Sequence, residues 1–420
     1  MALAGTTSAV DPFELTSGLD PEDLVRRFGS PLYLVLEAVI RDRYRRLHTA
    51  LNKEGIEAQI AYSIKTNYLT AVCRVFEQEG AFAEIVSGVE HAIVSRAGFP
   101  DDRIVFNGPY KTRDELAALA GRGRINVESL TELDTLESSG RERDAVYPVG
   151  LRINLPVGAV PWSRFGFSLS AGEASEAVED IKRLPHVRLA GLHTHIGTNL
   201  RNLEAFTEAT KLMCELARSL IEEGEAIEYL DLGGGFAAPR SRLFDIPEEG
   251  WSVPALEDYG RTISSVFHRH FPSDPAPLLF VEPGRALVSE SGVVLTTAVS
   301  KRNVGGRLSI VVDGGINIVP SAQGIKHDVR NLSRTDGPAV PVDVYGPMCM
   351  QVDTLGAGVP LVEPQPGDVL GVFDTGAYDF AHSIQFIRLR PAVVAINNVG
   401  KARLVRRAEA PSDILDLDAD

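Results

Sequence analysis

Cysteine and positive charge are both scarce in this chain. Three cysteines, Cys73, Cys214 and Cys349, occur among 420 residues, and their spacing matches no paired motif. This scarcity argues against a disulfide framework and is typical of a reducing compartment, so we expect a cytoplasmic protein. Lysine and arginine number 42 against 57 aspartates and glutamates, which leaves a formal net charge of −15. That balance argues against nucleic acid or an anionic membrane as the main partner.

Long apolar runs are also missing. No stretch approaches the length of about 20 apolar residues that a membrane-spanning helix needs. The first residues lack a basic segment followed by an apolar run, so no signal peptide is expected. With 420 residues and a hydrophobic content of 44%, the chain is expected to form a globular protein with two domains.

Short apolar strands alternate with helical stretches between residues 58 and 281. Their number matches a (β/α)8 barrel, and the residues suited to chemistry follow many different strands, which favours the barrel over a doubly wound α/β sheet. The strand candidates are Ala58–Ile64, Phe82–Val86, Ile104–Asn107, Arg124–Val127, Val149–Ile153, Leu189–His193, Tyr229–Leu232 and Leu278–Val281.

After about residue 283 the pattern changes to β-rich segments separated by glycine and proline turns, which predicts a C-terminal all-β domain. We therefore predict a leader over residues 1–29, whose start could join the β domain, and a barrel over residues 30–282. The β domain is predicted over residues 283–408. An acidic tail is predicted over residues 409–420, and Asp413–Asp420 within it is expected to be disordered.

Lys65 stands where a buried strand should leave the core. Ile60–Ile64 is apolar and partly β-branched, as a buried strand requires. Burying an ammonium is costly, and a desolvated lysine loses its proton easily and becomes a nucleophilic amine. A lysine that bonds covalently to an aldehyde needs this property. Taken alone, however, the stretch fits a surface lysine at a strand end equally well.

Two further strand ends carry residues that suit an anion or a cationic ring. Three consecutive glycines, Gly233–Gly235, would allow the backbone to approach a ligand closely and present N–H groups to an anion. A plain tight turn is the more common explanation. The acid and the arginine of Glu282-Pro283-Gly284-Arg285 could serve a cationic ring and an anion, or form a local ion pair at a domain junction.

Histidine and cysteine occur in two other suggestive places. His193 and His195 would point to one face of a strand and could ligate a metal, but no carboxylate pattern nearby completes such a site, so no metal is predicted. Stacking of an imidazole is the competing interpretation. Cys349 lies in a Gly-Pro turn with Asp353 four residues later, and Tyr378 lies in a separate turn. Lone cysteines are more often small buried hydrophobic residues.

Together and in this order, these stretches resemble the fold-type III pyridoxal-phosphate decarboxylases, which include ornithine/arginine and diaminopimelate decarboxylases. The resemblance covers roughly residues 30–400. It implies that Lys65 binds pyridoxal 5'-phosphate covalently, that His195 stacks on the cofactor ring, and that Glu282 faces the pyridine nitrogen. Related racemases place an arginine at that position, so Glu282 favours decarboxylation. The other cofactor contacts that it implies are Glu84, Arg152, Thr198, Gly233, Gly234, Gly235, Gly284, Arg285 and Tyr378.

The resemblance also implies a head-to-tail homodimer with shared active sites. Cys349 matches the cysteine that a partner subunit lends to the site, where it would help to return a proton to the α-carbon. The substrate-binding residues implied are Arg285, Met350, Asp353 and Tyr378.

The distal end of the predicted substrate site departs from the family pattern. Diaminopimelate decarboxylases usually continue Cys-Glu-Ser, whereas Met350 and Gln351 follow Cys349 here. Val319 and Gln323 replace the arginine and tyrosine of their Arg-Pro-x-x-Tyr element. Loss of a charged partner for a buried carboxylate costs about 2–5 kcal/mol. The sequence therefore predicts decarboxylation of an L-amino acid, or of an amino acid linked to a citryl group or a carrier protein, in secondary metabolism.

Three alternatives stay open at this point. The substrate could be diaminopimelate or ornithine, as in the best-known branches of the family. The protein could also be an amino-acid racemase or epimerase. It could finally be a non-catalytic, decarboxylase-like regulator, although Lys65 and Cys349 are both retained.

Overall fold

The computed structural model describes residues 18–53, 55–158, 162, 164–240, 252–273 and 275–419. The predicted leader lies outside the described residues as far as residue 17. Its remainder contains helix α1 (Pro21–Phe28), which begins at Asp20, whose carboxylate accepts a hydrogen bond from the N–H of Asp23. A proline at the first helical position fits this start, because its missing N–H would have no partner there. Strand β1 (Leu32–Leu36) follows.

A closed parallel barrel is the first compact unit, whose described residues lie within 43–237 and 253–286. Among the described residues, eight strands pair in parallel in the order β2, β3, β4, β5, β6, β8, β9 and β10, and β10 pairs with β2. The predicted (β/α)8 barrel is thus confirmed. The strands are β2 (Ala58–Ser63), β3 (Phe82–Ile85), β4 (Ile104–Phe106), β5 (Arg124–Val127), β6 (Tyr147–Asn154), β7 (Phe167–Ser168, an addition to β6), β8 (Val187–His193), β9 (Tyr229–Asp231) and β10 (Leu278–Val281).

Helices of this unit begin close to the carboxyl ends of the strands. Ser87, Thr112 and Ser129 each cap a helix by accepting a hydrogen bond from the N–H of a glutamate three residues later. These caps fix the loops in which the candidate site residues lie. The helices are α2 (Glu37–Leu51), α3 (Thr70–Gln78), α4 (Gly88–Ala97), α5 (Arg113–Leu119), α6 (Leu130–Arg143), α7 (Glu173–Lys182), α8 (Leu203–Glu222) and α9 (Leu256–His270).

The second compact unit consists mainly of strands, and its described residues are 18–42, 238–240, 252 and 287–419. It confirms the predicted β-rich second domain. Its further elements are the helices α10 (Arg285–Val288, which begins in the barrel unit), α11 (Asp379–His382) and α12 (Ser412–Leu415), and the strands β11 (Gly292–Val304), β12 (Arg307–Val312), β13 (Val329–Asn331), β14 (Ala339–Tyr345), β15 (Thr354–Val362), β16 (Val369–Phe373), β17 (Ala392–Ile396) and β18 (Ala402–Arg406).

One domain boundary and the state of the C-terminal tail differ from the sequence prediction. Strand β1 falls within the predicted barrel range of 30–282, yet it pairs with β11 and β17, and all five of its residues are buried. The apolar run therefore forms a central strand of the second sheet. The expectation of a disordered tail was wrong for its described part, because α12 forms there and Asp413 pairs with Arg407. Asp420 lies outside the described residues.

Within the described part of the chain, no helix is both long enough and apolar enough to cross a bilayer.

Candidate active site

Lys65 lies beside a buried acid at one end of the barrel. It belongs to a single turn, Ile64–Thr66, that follows β2, and its Nζ atom is 2.5 Å from Oε2 of Glu84 on β3. The hydroxyl of Ser63 donates to the same oxygen at 2.7 Å. The Glu84 side chain is 2% exposed, whereas that of Lys65 is 39% exposed. The amine is thus held by a buried carboxylate and is still open to a ligand.

Glu282 follows β10 and receives hydrogen bonds from several buried groups. Its Oε1 accepts from Nδ2 of Asn107 at 2.5 Å, and its Oε2 lies 3.4 Å from Nε2 of His193. Burial acts to raise the pKa of Glu282, but the attraction of His193 and the charge of Lys65 outweigh it and hold that pKa below its usual range. Burial, together with the adjacent Glu282, raises the pKa of Asp231 well above its usual range. Glu282 therefore stays charged while Asp231 keeps its proton.

His195 presents a neutral ring. Its Nδ1 accepts a hydrogen bond from the N–H of Gly234 at 3.0 Å, so the ring proton is carried by Nε2. Burial lowers the pKa of His195 to about 3. The indole ring of Trp162 lies 4.9 Å from the imidazole, measured between centroids. A half-buried, uncharged aromatic ring of this kind can stack on a flat ligand.

The three consecutive glycines that follow β9 are needed for steric reasons. A Cβ atom on Gly234 would lie 2.5 Å from the carbonyl oxygen of Glu282, and one on Gly235 would lie 2.7 Å from that of Gly197. Gly233 and Gly235 also have φ values of +65° and +96°, which favour glycine. The loop therefore packs directly against the ends of β8 and β10, and a plain tight turn does not account for it.

The remaining predicted residues of the barrel unit lie at the same strand ends. Arg152 of β6 forms a buried ion pair with Glu128, and its guanidinium lies 4.6 Å from the ring centre of Phe165. Thr198 is exposed. Gly284 is required because a Cβ there would overlap the hydroxyl of Thr66, and Arg285 begins α10.

The other predicted residues belong to the second unit. Cys349 and Met350 are exposed on a turn. Tyr378 adopts a φ of +71°, a conformation that is uncommon for residues other than glycine.

Asp353 requires a correction. It is 3% exposed, and its two carboxylate oxygens accept hydrogen bonds from the N–H groups of Ile316 and Met348 at 2.8 and 2.6 Å. The side chain therefore fixes the turn that carries Cys349, and the expectation that it meets a substrate amine does not fit this arrangement.

The structure also adds residues that sequence reasoning missed. Besides its hydrogen bond to Glu282, Asn107 donates one to Glu84 at 3.3 Å. Asn126 in turn donates a hydrogen bond to Asn107. Asp231 and Glu282 both place ligand atoms close to His193, within 4.8 Å of one another, although no nearby carboxylate was apparent from the sequence around the two histidines. Asn107, Asp231 and Glu282 lie at the ends of different strands, so the spacing of residues along the sequence could not reveal that they meet.

Comparison with known proteins gives consistent matches. A family model described as "Pyridoxal-dependent decarboxylase, pyridoxal binding domain" matches residues 37–289. The diaminopimelate decarboxylase of Bacillus subtilis (strain 168) is 33% identical, over 96% of this chain and 94% of that protein. The crystal structure of a diaminopimelate decarboxylase from M. jannaschii is 28% identical with a TM-score of 0.88, over 96% and 95% of the two chains. That of the Helicobacter pylori enzyme complexed with L-lysine is 26% identical with a TM-score of 0.83, over 95% and 99%.

The residues of the barrel unit fit pyridoxal phosphate. The cofactor has an aldehyde, a basic ring nitrogen and a phosphate, and the site offers an amine, a buried charged acid and a glycine loop. The Lys65 side chain is 39% exposed, and Glu282 is held charged. The glycine loop packs against the ends of β8 and β10 so closely that a Cβ atom on Gly234 or Gly235 could not be accommodated. The flat face of His195 provides a surface for the ring.

Proposed function

Because the chain belongs to the family of pyridoxal-dependent decarboxylases, we propose that it removes the α-carboxylate of a diamino acid of the diaminopimelate or ornithine type. The observation that carries this proposal is the placement of the Lys65 amine and the Glu282 carboxylate in one barrel end. The two are linked through Glu84 and Asn107. The relatives named above support the substrate class.

The residues of this chain would divide the work as follows. Lys65 would hold the cofactor through its aldehyde, and Glu84 orients the Lys65 amine through a direct hydrogen bond. When bound, pyridoxal phosphate supplies an electron sink for the charge left on the α-carbon when carbon dioxide departs. Glu282, held charged by Asn107 and His193, would keep a proton on the ring nitrogen. Neutral His195 would support the ring without adding charge.

We further propose that phosphate binding involves Gly233, Gly234, Gly235, Thr198, Arg285 and Tyr378, as the resemblance implies, with Gly284 as a further cofactor contact. Gly235 and Thr198 both lie in loops that follow barrel strands, as phosphate-binding loops of such barrels commonly do. Arg152 would contact the cofactor from the same barrel end, where its guanidinium is paired with Glu128.

A second candidate substrate rests on specific residues. Val319, which is buried, and Gln323, which is exposed, are both uncharged, so neither supplies a cation for a distal carboxylate. Met350 and Gln351 offer no acid for a distal amine. These replacements favour an amino acid whose distal end is different, for example one linked to a citryl group or a carrier protein in secondary metabolism.

A homodimer with shared sites is the assembly that we propose. Cys349 lies on an exposed turn with Met350 and Val352, which are 41% and 53% exposed. A partner subunit could bury this apolar turn and receive the thiol. The test is to mix Lys65→Ala with Cys349→Ala, each of which is expected to be inactive alone. In a dimer with shared sites, random exchange should restore about a quarter of the wild-type activity. No recovery after demonstrated subunit exchange would contradict sharing.

The compartment that we propose is the cytoplasm. The three cysteines described in the structure, Cys73, Cys214 and Cys349, are all free thiols. Free thiols without disulfides are typical of a reducing environment.

The decisive experiment measures carbon dioxide release by purified protein loaded with pyridoxal phosphate. The substrates should include meso-diaminopimelate, L-ornithine, L-lysine and a citryl-linked diamino acid. We expect release from at least one of these, together with a near-visible absorbance band that Lys65→Ala lacks. Solvent deuterium incorporation without carbon dioxide release would instead favour a racemase. Bound cofactor without either reaction would favour a regulator.

A further inference from the structure

A chain of hydrogen bonds crosses the interior of the barrel and ends at the two acids of the candidate site. The hydroxyl of Tyr229 donates to Oδ1 of Asn126 at 2.7 Å, and Nδ2 of Asn126 donates to Oδ1 of Asn107 at 2.8 Å. Nδ2 of Asn107 then donates to Glu282 at 2.5 Å and to Glu84 at 3.3 Å. All five side chains are buried, so these bonds are shielded from water.

The direction of every bond in this chain is determined by its two ends. A charged carboxylate only accepts hydrogen bonds, so the NH2 group of Asn107 has to face Glu84 and Glu282. The side-chain oxygen of Asn107 therefore needs a hydrogen-bond donor, and the NH2 group of Asn126 supplies it. The side-chain oxygen of Asn126 then needs a donor as well. Burial, together with the nearby Asp231, raises the pKa of Tyr229, so the phenol keeps its proton and serves as that donor.

The neighbouring strands leave room for this chain. A Cβ atom on Gly150 of β6 would overlap both Oδ1 of Asn126 and the hydroxyl of Tyr229. A Cβ atom on Gly191 of β8 would overlap the ring of Tyr229. We call the hydrogen-bonded series of Tyr229, Asn126 and Asn107 the relay. Any larger residue at position 150 or 191 would displace it, so the adjacent strands β6 and β8 can accommodate the relay only because they carry glycine at these positions.

We propose that Asn107 is a positioning residue that holds the two acids of the site in place, and that Tyr229 and Asn126 fix the orientation of its amide. One NH2 group serves both Glu84, the partner of Lys65, and Glu282. Two neighbouring carboxylates repel each other, and shared donation stabilises both in their charged forms. The inference rests on the proposed function, because it assigns the relay to the reaction at Lys65.

Substitution of Asn107 separates this role from packing. Asn107→Leu removes both hydrogen bonds, and we expect kcat to fall about 10- to 100-fold with KM changed less than about threefold. Asn107→Asp keeps the shape, and its carboxyl can donate to one acid only while protonated. The charges of Glu84 and Glu282 favour its protonated form and that of Lys65 opposes it, while His193 and the protonated Asp231 lie beside Glu282. Asn107→Asp should therefore retain activity at low pH and lose it as the pH rises.

Tyr229→Phe tests the far end of the relay. It removes one hydroxyl and leaves the ring, so Asn126 loses the donor that fixes its orientation. We expect a smaller fall in kcat, of about three- to tenfold, in the same direction as in Asn107→Leu. Tyr44→Phe is the matched control, because Tyr44 is equally buried at 4% exposure and lies on α2, outside the relay. It should leave kcat unchanged.

The relay can also be examined without turnover. In holoenzyme, the absorbance of bound pyridoxal phosphate is titrated with pH for wild type, Asn107→Asp, Tyr229→Phe and Tyr44→Phe. We expect a shifted titration in the two relay variants only. The inference is overturned if both variants titrate like wild type, or if Tyr229→Phe and Tyr44→Phe behave alike. If Asn107→Leu fails to fold, the titrations of Asn107→Asp and Tyr229→Phe decide whether the inference holds. Absence of any decarboxylation by wild type would reject the proposed function but leave this titration informative.

Discussion

The main-chain N–H of Gly234 donates a hydrogen bond to Nδ1 of His195 across 3.0 Å. This single contact joins the loop after β9 to the residue that follows β8, and it fixes the tautomer of the imidazole. With its pKa lowered to about 3 by burial, His195 is neutral near pH 7. The ring is therefore suited to a contact with an aromatic ligand and unsuited to acid catalysis near neutral pH.

His195→Phe and His195→Ala should differ in their affinity for pyridoxal phosphate. Phenylalanine retains a flat ring, whereas alanine removes it, and an aromatic contact of this kind is worth about three- to tenfold in binding. We expect the alanine variant to bind more weakly than the phenylalanine variant by about that factor, measured by titrating apoprotein and following absorbance. Equal affinities for the two variants would contradict a stacking role.

Gly235→Ala should weaken pyridoxal phosphate binding by roughly tenfold or more. The residue has a φ of +96°, and its new Cβ would lie 2.7 Å from the carbonyl of Gly197. A left-handed conformation alone costs about 1–2 kcal/mol for alanine. Gly172→Ala is the matched control, because Gly172 has a φ of +84° and nothing within 4 Å of its added Cβ. The prediction fails if the two variants bind the cofactor equally well.

Glu90→Gln should change how stability depends on pH. Burial, reinforced by the charge of Glu84, raises the pKa of Glu90 to about 7 from its ordinary value of 4.5. Between these values the folded protein holds a proton that the unfolded chain has released. The stabilisation is therefore complete below pH 4.5 and is lost as the pH rises through 7.

Glutamine stays neutral and can still accept the hydrogen bond that Val86 donates to Glu90. We expect Glu90→Gln to match wild type in urea unfolding at pH 5 and to be more stable at pH 8, by up to roughly 3 kcal/mol. A stability difference that is the same at both pH values would show that Glu90 does not titrate in this range.

Asp353→Asn should lower stability. Both carboxylate oxygens of Asp353 accept main-chain hydrogen bonds, and an amide would place a donor against one of those N–H groups. We expect a loss of about 1–3 kcal/mol in the free energy of unfolding, measured with urea. Asp336→Asn, at an exposed position of the same unit, should have no effect. A variant as stable as wild type but with a greatly raised KM would instead support contact with substrate.

Local sequence patterns predicted the barrel strands closely. The bounds of β5 and β10 match the candidates Arg124–Val127 and Leu278–Val281, because short apolar runs between polar turns have few other solutions. Strand β1 has the same local signal and was placed in the barrel range, but its partners β11 and β17 come from much later in the chain. Which sheet a buried strand joins depends on those distant partners.

The order of the motifs, taken from the sequence alone, determined the fold class and the family, and it singled out Lys65, His195, the glycine loop and Glu282 as candidate site residues. Tertiary structure decided which groups act on them. Asn107 and Glu282 are 175 residues apart in the chain and meet only because β4 and β10 end at the same side of one barrel. Asp353 likewise changed from a candidate ligand contact to a support for a turn, since its hydrogen-bond partners are set by packing. Side-chain type and spacing are local properties, whereas charge state and hydrogen bonding depend on neighbours that folding brings together.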